Sequence, residues 1–353
     1  SLLFYLTCLY VGSVPLLLSD NINEIQIDEY IRRYCPSLIL SPKELKIATN
    51  NQMSIGDYYI YFKNKDKFVK NKNLTLLLTT SGSTGSPKVV KVTNENLISN
   101  TKSICKYLNL NNNDRHITTL PMNYTYGLSC INTFLYSGGS IILNNHAINT
   151  KEFWINVEQL QPNYLSGVPY TYEILSKYFL KKLIDSSIKV FTQAGGKLST
   201  RVVREFLEFS KENDKKFIIM YGQTEATARM SYLPFNKLQE KIGSIGIAIP
   251  GGEFSLRKTF YQDNLKDKLI GELVYSGKNV TEGYANSFRE LQEKSINPKT
   301  LNTGDMAWID DEGFVYLVGR INRYAKINGI RVSLIDVEDM IREIGYTAAI
   351  LSD

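Results

Sequence analysis

Histidine is nearly absent from this chain. Its 353 residues contain two, His116 and His146. Any Ser-His or Cys-His catalyst would have to use one of them, and neither stands in a motif that suggests it. Both read as structural or surface residues. Cysteine is also scarce. Cys8, Cys35, Cys105 and Cys130 show no C-x-x-C spacing, which argues against a zinc site or a disulfide scaffold and for a reducing compartment. Charge of one sign is not concentrated. The net charge is +6, with lysines scattered through Asn/Lys-rich stretches such as 63–72, so no nucleic-acid stripe is expected. A long unbroken apolar run is missing too. Residues 1–19 carry no charge, but Thr7, Gly12, Ser13 and Pro15 interrupt them. That length only borders on a membrane span, and the basic flank of a signal peptide is lacking. The segment predicts a buried helix over 2–10, a turn, and a buried strand over 14–18, with no membrane span. With no targeting signal in evidence, the cytoplasm is the default expectation. The chain starts at Ser, inside an element, as a piece of a longer protein would.

What is present suits a large folded core. Hydrophobic residues make up 43% of the chain, and the length fits one large or two ordinary domains. Strand-like runs at 74–78, 117–120, 140–143, 164–167, 190–192 and 217–221 alternate with helical periodicity, for example at Leu97, Thr101, Ile104, Cys105 and Leu108 behind an N-cap at Thr93. Such alternation predicts an α/β fold with two parallel-type sheets and flanking helices. After Gly222 helices thin out. Short runs at 245–250, 252–256, 271–275 and 314–318 predict a β-rich subdomain reaching about Arg320, followed by the start of a small C-terminal α+β domain over 321–353.

The densest chemistry lies in Thr79-Thr80-Ser81-Gly82-Ser83-Thr84-Gly85-Ser86-Pro87-Lys88. Hydroxyls and bare N–H groups donate to phosphate oxygens, glycines permit close approach, and the lysine adds charge. A P-loop would need a second glycine five residues after Gly82, and Pro87 stands there. A polar surface loop between strand and helix would share this composition. Two more loops follow predicted strands: Ala194-Gly195-Gly196, and Tyr221-Gly222-Gln223-Thr224-Glu225. Ligands of doubly wound sheets sit beyond the carboxyl ends of the strands, so three loops on one rim fit a nucleotide. Glu225 suits Mg²⁺, which takes few carboxylates beside phosphate oxygens, although a capped helix start would look the same. Thr303-Gly304-Asp305 places a carboxylate after a tight turn, where it could accept two ribose hydroxyls. Arg320 stands at a strand end, able to neutralise a phosphate or clamp a ribose.

These segments, T-S-G-S-T-G-S-P-K at 80–88, Y-G-Q-T-E at 221–225, G-E-L at 271–273, G-Y at 283–284, T-G-D at 303–305 and G-R-I-N-R-Y-A-K-I-N-G-I-R at 319–331, occur in an order that resembles the adenylate-forming superfamily of acyl-CoA synthetases, peptide-synthetase adenylation domains and luciferases. The resemblance covers nearly the whole chain. It implies ATP-dependent formation of an acyl-AMP with release of pyrophosphate, then transfer of the acyl group to a thiol of CoA or of a phosphopantetheine carrier protein. It implies that Thr80, Ser81, Gly82, Ser83, Thr84, Gly85 and Lys88 hold the β- and γ-phosphates, that Thr224 contacts the α-phosphate, and that Glu225 holds Mg²⁺. Gly195, Gly196, Lys197, Tyr221 and Gly222, with Gln223 beside them, would flank the adenine. Asp305 and Arg320 would bind the ribose. Asn322 would be the hinge, with Lys326 and Gly329 on the part that swings in for the thiol step. Residues 1–320 would form the AMP-binding core, incomplete at its start, and 321–353 the beginning of a lid domain.

Two departures qualify these expectations. Family members continue well past the hinge and carry there a lysine that contacts the α-phosphate and the carboxylate. No residue before Asp353 can be given that role, so both ends read as cut. A catalytically impaired nucleotide-binding or scaffold protein is the alternative, and a plain ATPase or kinase is a further one. The second departure lies in 121–127, where Tyr124 stands in place of the histidine of many acyl-CoA synthetases. No Asp is present there to pair an α-ammonium, which disfavours an α-amino acid. Tyr124, Gly127, Val168 and Pro169, with Tyr164 and Tyr170, are expected to line the pocket of a small carboxylic acid; Tyr124 would equally suit a packed core.

Overall fold

The computed structural model describes residues 1–47, 51–63, 71, 73–80, 88–258, 268–294, 299–321, 324–327, 330–343 and 350, with 324–327, 330–333, 335, 336, 339, 342 and 343 as backbone. The expected loop residues Ser81, Gly82, Ser83, Thr84 and Gly85, the hinge residue Asn322, Gly329 of the expected thiol-step segment, and the side chain of Lys326 lie outside this description.

A seven-stranded sheet forms the centre. Its order is Ile247–Ala248, Ser231–Leu233, Lys216–Tyr221, Val190–Gln193, Tyr164–Gly167, Arg115–Ile117 and Ser140–Ile142. The last five run parallel, and the first two are antiparallel. Helices Thr125–Tyr136, Lys151–Leu160, Pro169–Ile174 and Thr200–Glu212 lie between the parallel strands in sequence. In Thr200–Glu212 the buried Val202, Val203, Phe206, Leu207 and Phe209 recur at helical spacing, and Ser199 caps the N-terminus by accepting from the Val202 amide. That face joins Leu165, Tyr172, Phe191 and Phe217 in the largest apolar core. Burying each such side chain contributes roughly 1.5–3 kcal/mol. Helix Asn94–Leu108 starts at Thr93 as expected, in a capping box with Asn96.

The α/β class with several sheets and flanking helices is borne out, with one difference in detail. The second sheet, ordered Leu16–Leu17, Leu74–Thr79, Val89–Thr93 and Tyr284–Ala285, has a single parallel pair. Leu74–Thr79 and Val89–Thr93 pair antiparallel, Thr79 facing Val89. The hydroxyl-rich run therefore joins two neighbouring strands, not a strand and a helix. A connection this short cannot make the crossover that a parallel pair needs. The β-rich part matches the expectation: Gly252–Arg257, Gly271–Gly277, Thr300–Ile309 and Val315–Arg320 form an antiparallel sheet. Tyr324–Ile327 and Ile330–Ser333 pair as a hairpin ahead of helix Leu334–Glu343.

Near the start, helix Leu2–Tyr10 and strand Leu16–Leu17 are present, but the helix is not buried all round. Tyr5 is enclosed and donates to Asn132 Oδ1 at 3.0 Å, whereas Leu3 is 78% and Tyr10 92% exposed. A three-stranded sheet of Leu38–Ser41, Tyr58–Phe62 and Asn51–Ile55 has no counterpart in the sequence pattern. Asn51–Ile55 is exposed along its whole length, so it has no inward face to imprint an apolar alternation. Among the described residues no helix is long and apolar enough to cross a membrane.

His146 is exposed and His116 is enclosed at the centre. His116 Nε2 lies 2.9 Å from Ser166 Oγ, its ring packs on Phe134, and Nδ1 has no partner among the described residues. Burial, and secondarily the Arg229 charge, push its pKa down from 6.5 to about 3. The folded state thus keeps His116 neutral while the unfolded chain takes up a proton below pH 6.5. The stability contributed by neutral His116 is complete above pH 6.5 and is lost as pH falls towards 3. The expected slope is about 1.4 kcal/mol per pH unit. Denaturant unfolding from pH 7 to pH 4.5 should show that slope reduced by about one proton in His116→Gln; identical slopes would refute it.

Candidate active site

The carboxyl ends of the central strands converge on the loop after Lys216–Tyr221. Asp305 faces that loop from the β-rich sheet. The tight turn expected around it is in fact a bulge inside the long strand Thr300–Ile309: Thr303, Gly304 and Asp305 lie opposite Leu273 alone, and Gly304 takes φ +73°. The extra residues re-aim the carboxylate. Thr303 Oγ1 donates to Leu273 O at 2.7 Å and accepts from the Asp305 amide at 3.1 Å, fixing the bulge. Asp305 Oδ2 accepts from the Tyr221 hydroxyl at 2.5 Å and from Gln223 Nε2 at 3.0 Å. Oδ1 accepts from Arg320 Nε at 2.8 Å. Gln223 also donates to Thr303 O at 3.0 Å. The Asp305 side chain is 5% exposed beneath an Arg320 that is 58% exposed. Burial, then the Asp305 charge, push the Tyr221 hydroxyl well above the usual phenol range, so it stays a donor.

Three residues after Tyr221, Thr224 Oγ1 lies 3.0 Å from Thr125 Oγ1, at the start of helix Thr125–Tyr136. Glu225 accepts from the Tyr284 hydroxyl, and the Lys88 ammonium lies 4.5 Å above the Tyr284 ring. Lys88 ends the hydroxyl-rich run. Lys88 is thereby brought towards Glu225 through Tyr284. Burial, then Glu225, raise the Tyr284 phenol and keep it protonated.

The third corner is apolar. Gly195 adopts φ +83°, and a Cβ there would fall 2.4 Å from the Tyr124 hydroxyl and 3.1 Å from Val168 Cγ1. A Cβ on Gly196 would touch Pro169 at 3.1 Å. The missing side chains let the backbone lie against this wall. Gln193 Nε2 donates to Gly196 O at 2.9 Å and pins the loop. Gly127 packs its helix start on Pro121 O, where a Cβ would approach to 2.4 Å.

Thr224 is the junction of the three corners. Through Gln223 it joins the Asp305 corner, through Glu225 the Lys88 corner, and through Thr125 the Tyr124 wall. Among the described residues no three His, Cys, Asp or Glu side chains gather as a metal cage. A single carboxylate at Glu225 suits Mg²⁺, which binds through one or two carboxylates plus substrate phosphates. The structure thus brings together Lys88, Tyr124, Val168, Pro169, Gly195, Gly196, Tyr221, Gln223, Thr224, Glu225, Asp305 and Arg320. Thr80 is the last described residue of the run before Lys88. The Lys197 side chain belongs to the same loop as Gly195, beyond the corner just described. Sequence reasoning assigned no role to Thr125, Tyr284 or the buried Arg229. For Tyr284 the G-Y pair at 283–284 was the one available signal.

The loops after Val190–Gln193 and Lys216–Tyr221 stand at the carboxyl ends of parallel strands, where α/β folds bind their ligands. The chain belongs to the AMP-binding enzyme family, whose model matches residues 3–285. It is 26% identical over 279 residues to a probable CoA ligase of Humulus lupulus, covering 77% of this chain and 50% of that protein. It is 28% identical over 351 residues to a 4-coumarate–CoA ligase-like protein of Arabidopsis thaliana, covering 96% and 59%. With a D-alanine–D-alanyl carrier protein ligase of Bacillus cytotoxicus it shares 26% over 325 residues, covering 87% and 63%. The chain therefore spans about half to two thirds of the length of these relatives. Its fold matches o-succinylbenzoate CoA synthetase of Bacillus subtilis, solved with the acyl-adenylate intermediate, at a TM-score of 0.73 and 20% identity, over 96% of this chain and 70% of that one.

Proposed function

We propose that the chain is the nucleotide-binding part of an AMP-forming acid–thiol ligase. A carboxylate oxygen attacks the α-phosphorus of ATP, the bond to the β-phosphate bridging oxygen breaks, and pyrophosphate leaves. A thiol then attacks the acyl carbon, and AMP departs. The observation that carries this reading is the placement of Thr224, where the Asp305, Lys88 and Tyr124 corners meet. A nucleotide with its ribose at Asp305 and its β- and γ-phosphates at Lys88 would have its α-phosphate at Thr224, beside the wall for the acid. Gly195, Gly196, Tyr221 and Gly222 would border the adenine. Asp305 has lone pairs for ribose hydroxyls once Arg320 swings aside or shares it. Held by Glu225 and phosphate oxygens, Mg²⁺ would neutralise charge that develops on the phosphates. Preorganised donors and positioning supply most of the rate in such transfers.

The names of the relatives support both kinds of acceptor, CoA and a carrier-protein thiol, and a structural relative solved with ATP and magnesium supports that pair. In this reading 1–320 is the core and 321–353 begins the lid, with Asn322 as hinge and Lys326 and Gly329 on the moving side. A small carboxylic acid is the substrate, and the cytoplasm is the proposed compartment. The test is the product formed from ATP with acid present. AMP and pyrophosphate are expected, with Glu225→Ala reducing their formation on the order of 10²-fold. ADP as product, or an unchanged Glu225→Ala rate, would refute the assignment.

A further inference from the structure

One charged side chain in the interior has no role in the scheme above. Arg229 follows the Thr224 loop and is 2% exposed, among the largest fully buried side chains of the protein. Its Nη1 donates to the Tyr107 hydroxyl at 3.1 Å and its Nη2 to Cys130 Sγ at 3.2 Å. Its Nε has no acceptor among the described residues. Nor does a carboxylate pair with it there. A guanidinium cannot shed its proton to escape burial. An enclosed cation facing only neutral acceptors is a standing cost to the unliganded fold. The neutral His116, whose pKa the same cation helps to hold down, adds no counter-charge.

The position of this cation says what would offset that cost. Its guanidinium carbon lies 5.0 Å from the centre of the Tyr126 ring. Tyr126 donates to Thr192 O at 2.8 Å, two residues before Ala194. The Tyr124 ring stands edge-on to Tyr126 at 6.3 Å, and the Tyr124 hydroxyl faces Gly195. From the rim inward the order is Gly195, Tyr124, Tyr126, Arg229. Arg229 also lies behind Gly222, where an added Cβ would meet the Arg229 Cα at 2.8 Å. The cation is therefore at the floor of the acid wall, one aromatic ring from it.

Resting on the adenylation reading, we infer that Arg229 is a specificity residue and that the acid activated here carries a second anionic group, which docks on this guanidinium as Tyr126 turns aside. One carboxylate meets the α-phosphate at Thr224, and the distal one neutralises Arg229. An acid lacking the second charge leaves the cation unpaired and is rejected, as sites with unmatched polar groups reject analogues.

The test compares wild type with Arg229→Met by thermal unfolding in ATP and Mg²⁺. The probes are succinic, glutaric, adipic and phthalic acids, each against its half-methyl ester. Without acid, Arg229→Met is expected to unfold at the same or a higher temperature, because an unpaired buried charge has gone. At least one diacid should raise the wild-type midpoint more than its half-ester does, and the variant should lose that difference. Arg229→Lys, which keeps the charge, should retain part of it. In pyrophosphate exchange, kcat/KM for that diacid should fall on the order of 10²-fold in Arg229→Met, with the half-ester little changed. Two results would overturn the inference: a steep fall in the unliganded midpoint of Arg229→Met, marking a purely structural cation, or diacids and half-esters indistinguishable across the panel. Discrimination in unfolding with no exchange from any acid would instead sink adenylation and leave the anion site standing.

Discussion

Asp305→Ala is expected to weaken ATP binding by about 10²–10³-fold while the chain remains folded. The carboxylate is the anchor of its corner: Tyr221, Gln223 and Arg320 all donate to it. Bonds to an ionised acceptor are each worth about 1.5–3 kcal/mol, and a ribose diol would make two. Removing the carboxylate also takes the acceptor of the Tyr221 hydroxyl and one acceptor of the Gln223 amide, and Gln223 leads directly into Thr224. Asp305→Asn should be nearly as harmful, because its amide nitrogen presents donors to a ring of donors. Titration calorimetry with ATP, on protein whose circular dichroism matches wild type, checks this. Binding within about threefold of wild type would remove Asp305 from the ribose role.

Gly222→Ala is expected to abolish nucleotide binding for a different reason. A Cβ on Gly222 would fall 1.6 Å from Ala228 O, so the Thr224 loop cannot keep its fold. That loop turns back on itself: the Ala226 and Ala228 amides donate to Gln223 O at 3.0 and 3.3 Å, and the Met230 amide donates to Tyr221 O at 2.8 Å. Thr227 and Ala228 both take positive φ, a strain the surroundings must hold in place. Asn279 does part of this, donating to Ala226 O at 2.8 Å and accepting from Thr227 Oγ1 through its own carbonyl at 2.7 Å. Overpacking here should cost about 2–3 kcal/mol of stability and displace Gln223, Thr224 and Glu225 together. Chemical denaturation and ATP titration read the two effects separately. A stable Gly222→Ala that binds ATP normally would mean the loop has room the structure does not give it.

Much of the rim is legible in the sequence because its chemistry is local. Gly195 and Gly222 mark places where backbone must pass close to a neighbour, and the strands before them announce themselves by short apolar runs. Thr93 reads as a cap from its own hydroxyl and a following helical pattern. Contacts between distant segments leave less trace. Tyr284 reaches Glu225 across 59 positions, and nothing in either segment says so. Asp305 resembles a turn residue because Gly304 has the same positive φ in a bulge as in a turn. The pairing of Leu74–Thr79 with Val89–Thr93 is hidden by a rule of alternation that expects parallel neighbours. Helix Leu2–Tyr10 reads as buried because composition cannot separate a wholly enclosed helix from one with apolar residues on an open face. Arg229 gives no signal at all, since an arginine in a connecting loop is ordinarily at the surface.

Acid-dependent exchange of labelled pyrophosphate into ATP tests the central claim most directly, using pools of fatty, aryl, hydroxy, amino and dicarboxylic acids. Adenylation predicts exchange with one pool, and its loss in Asp305→Ala. ATP that binds while no pool supports exchange would contradict it.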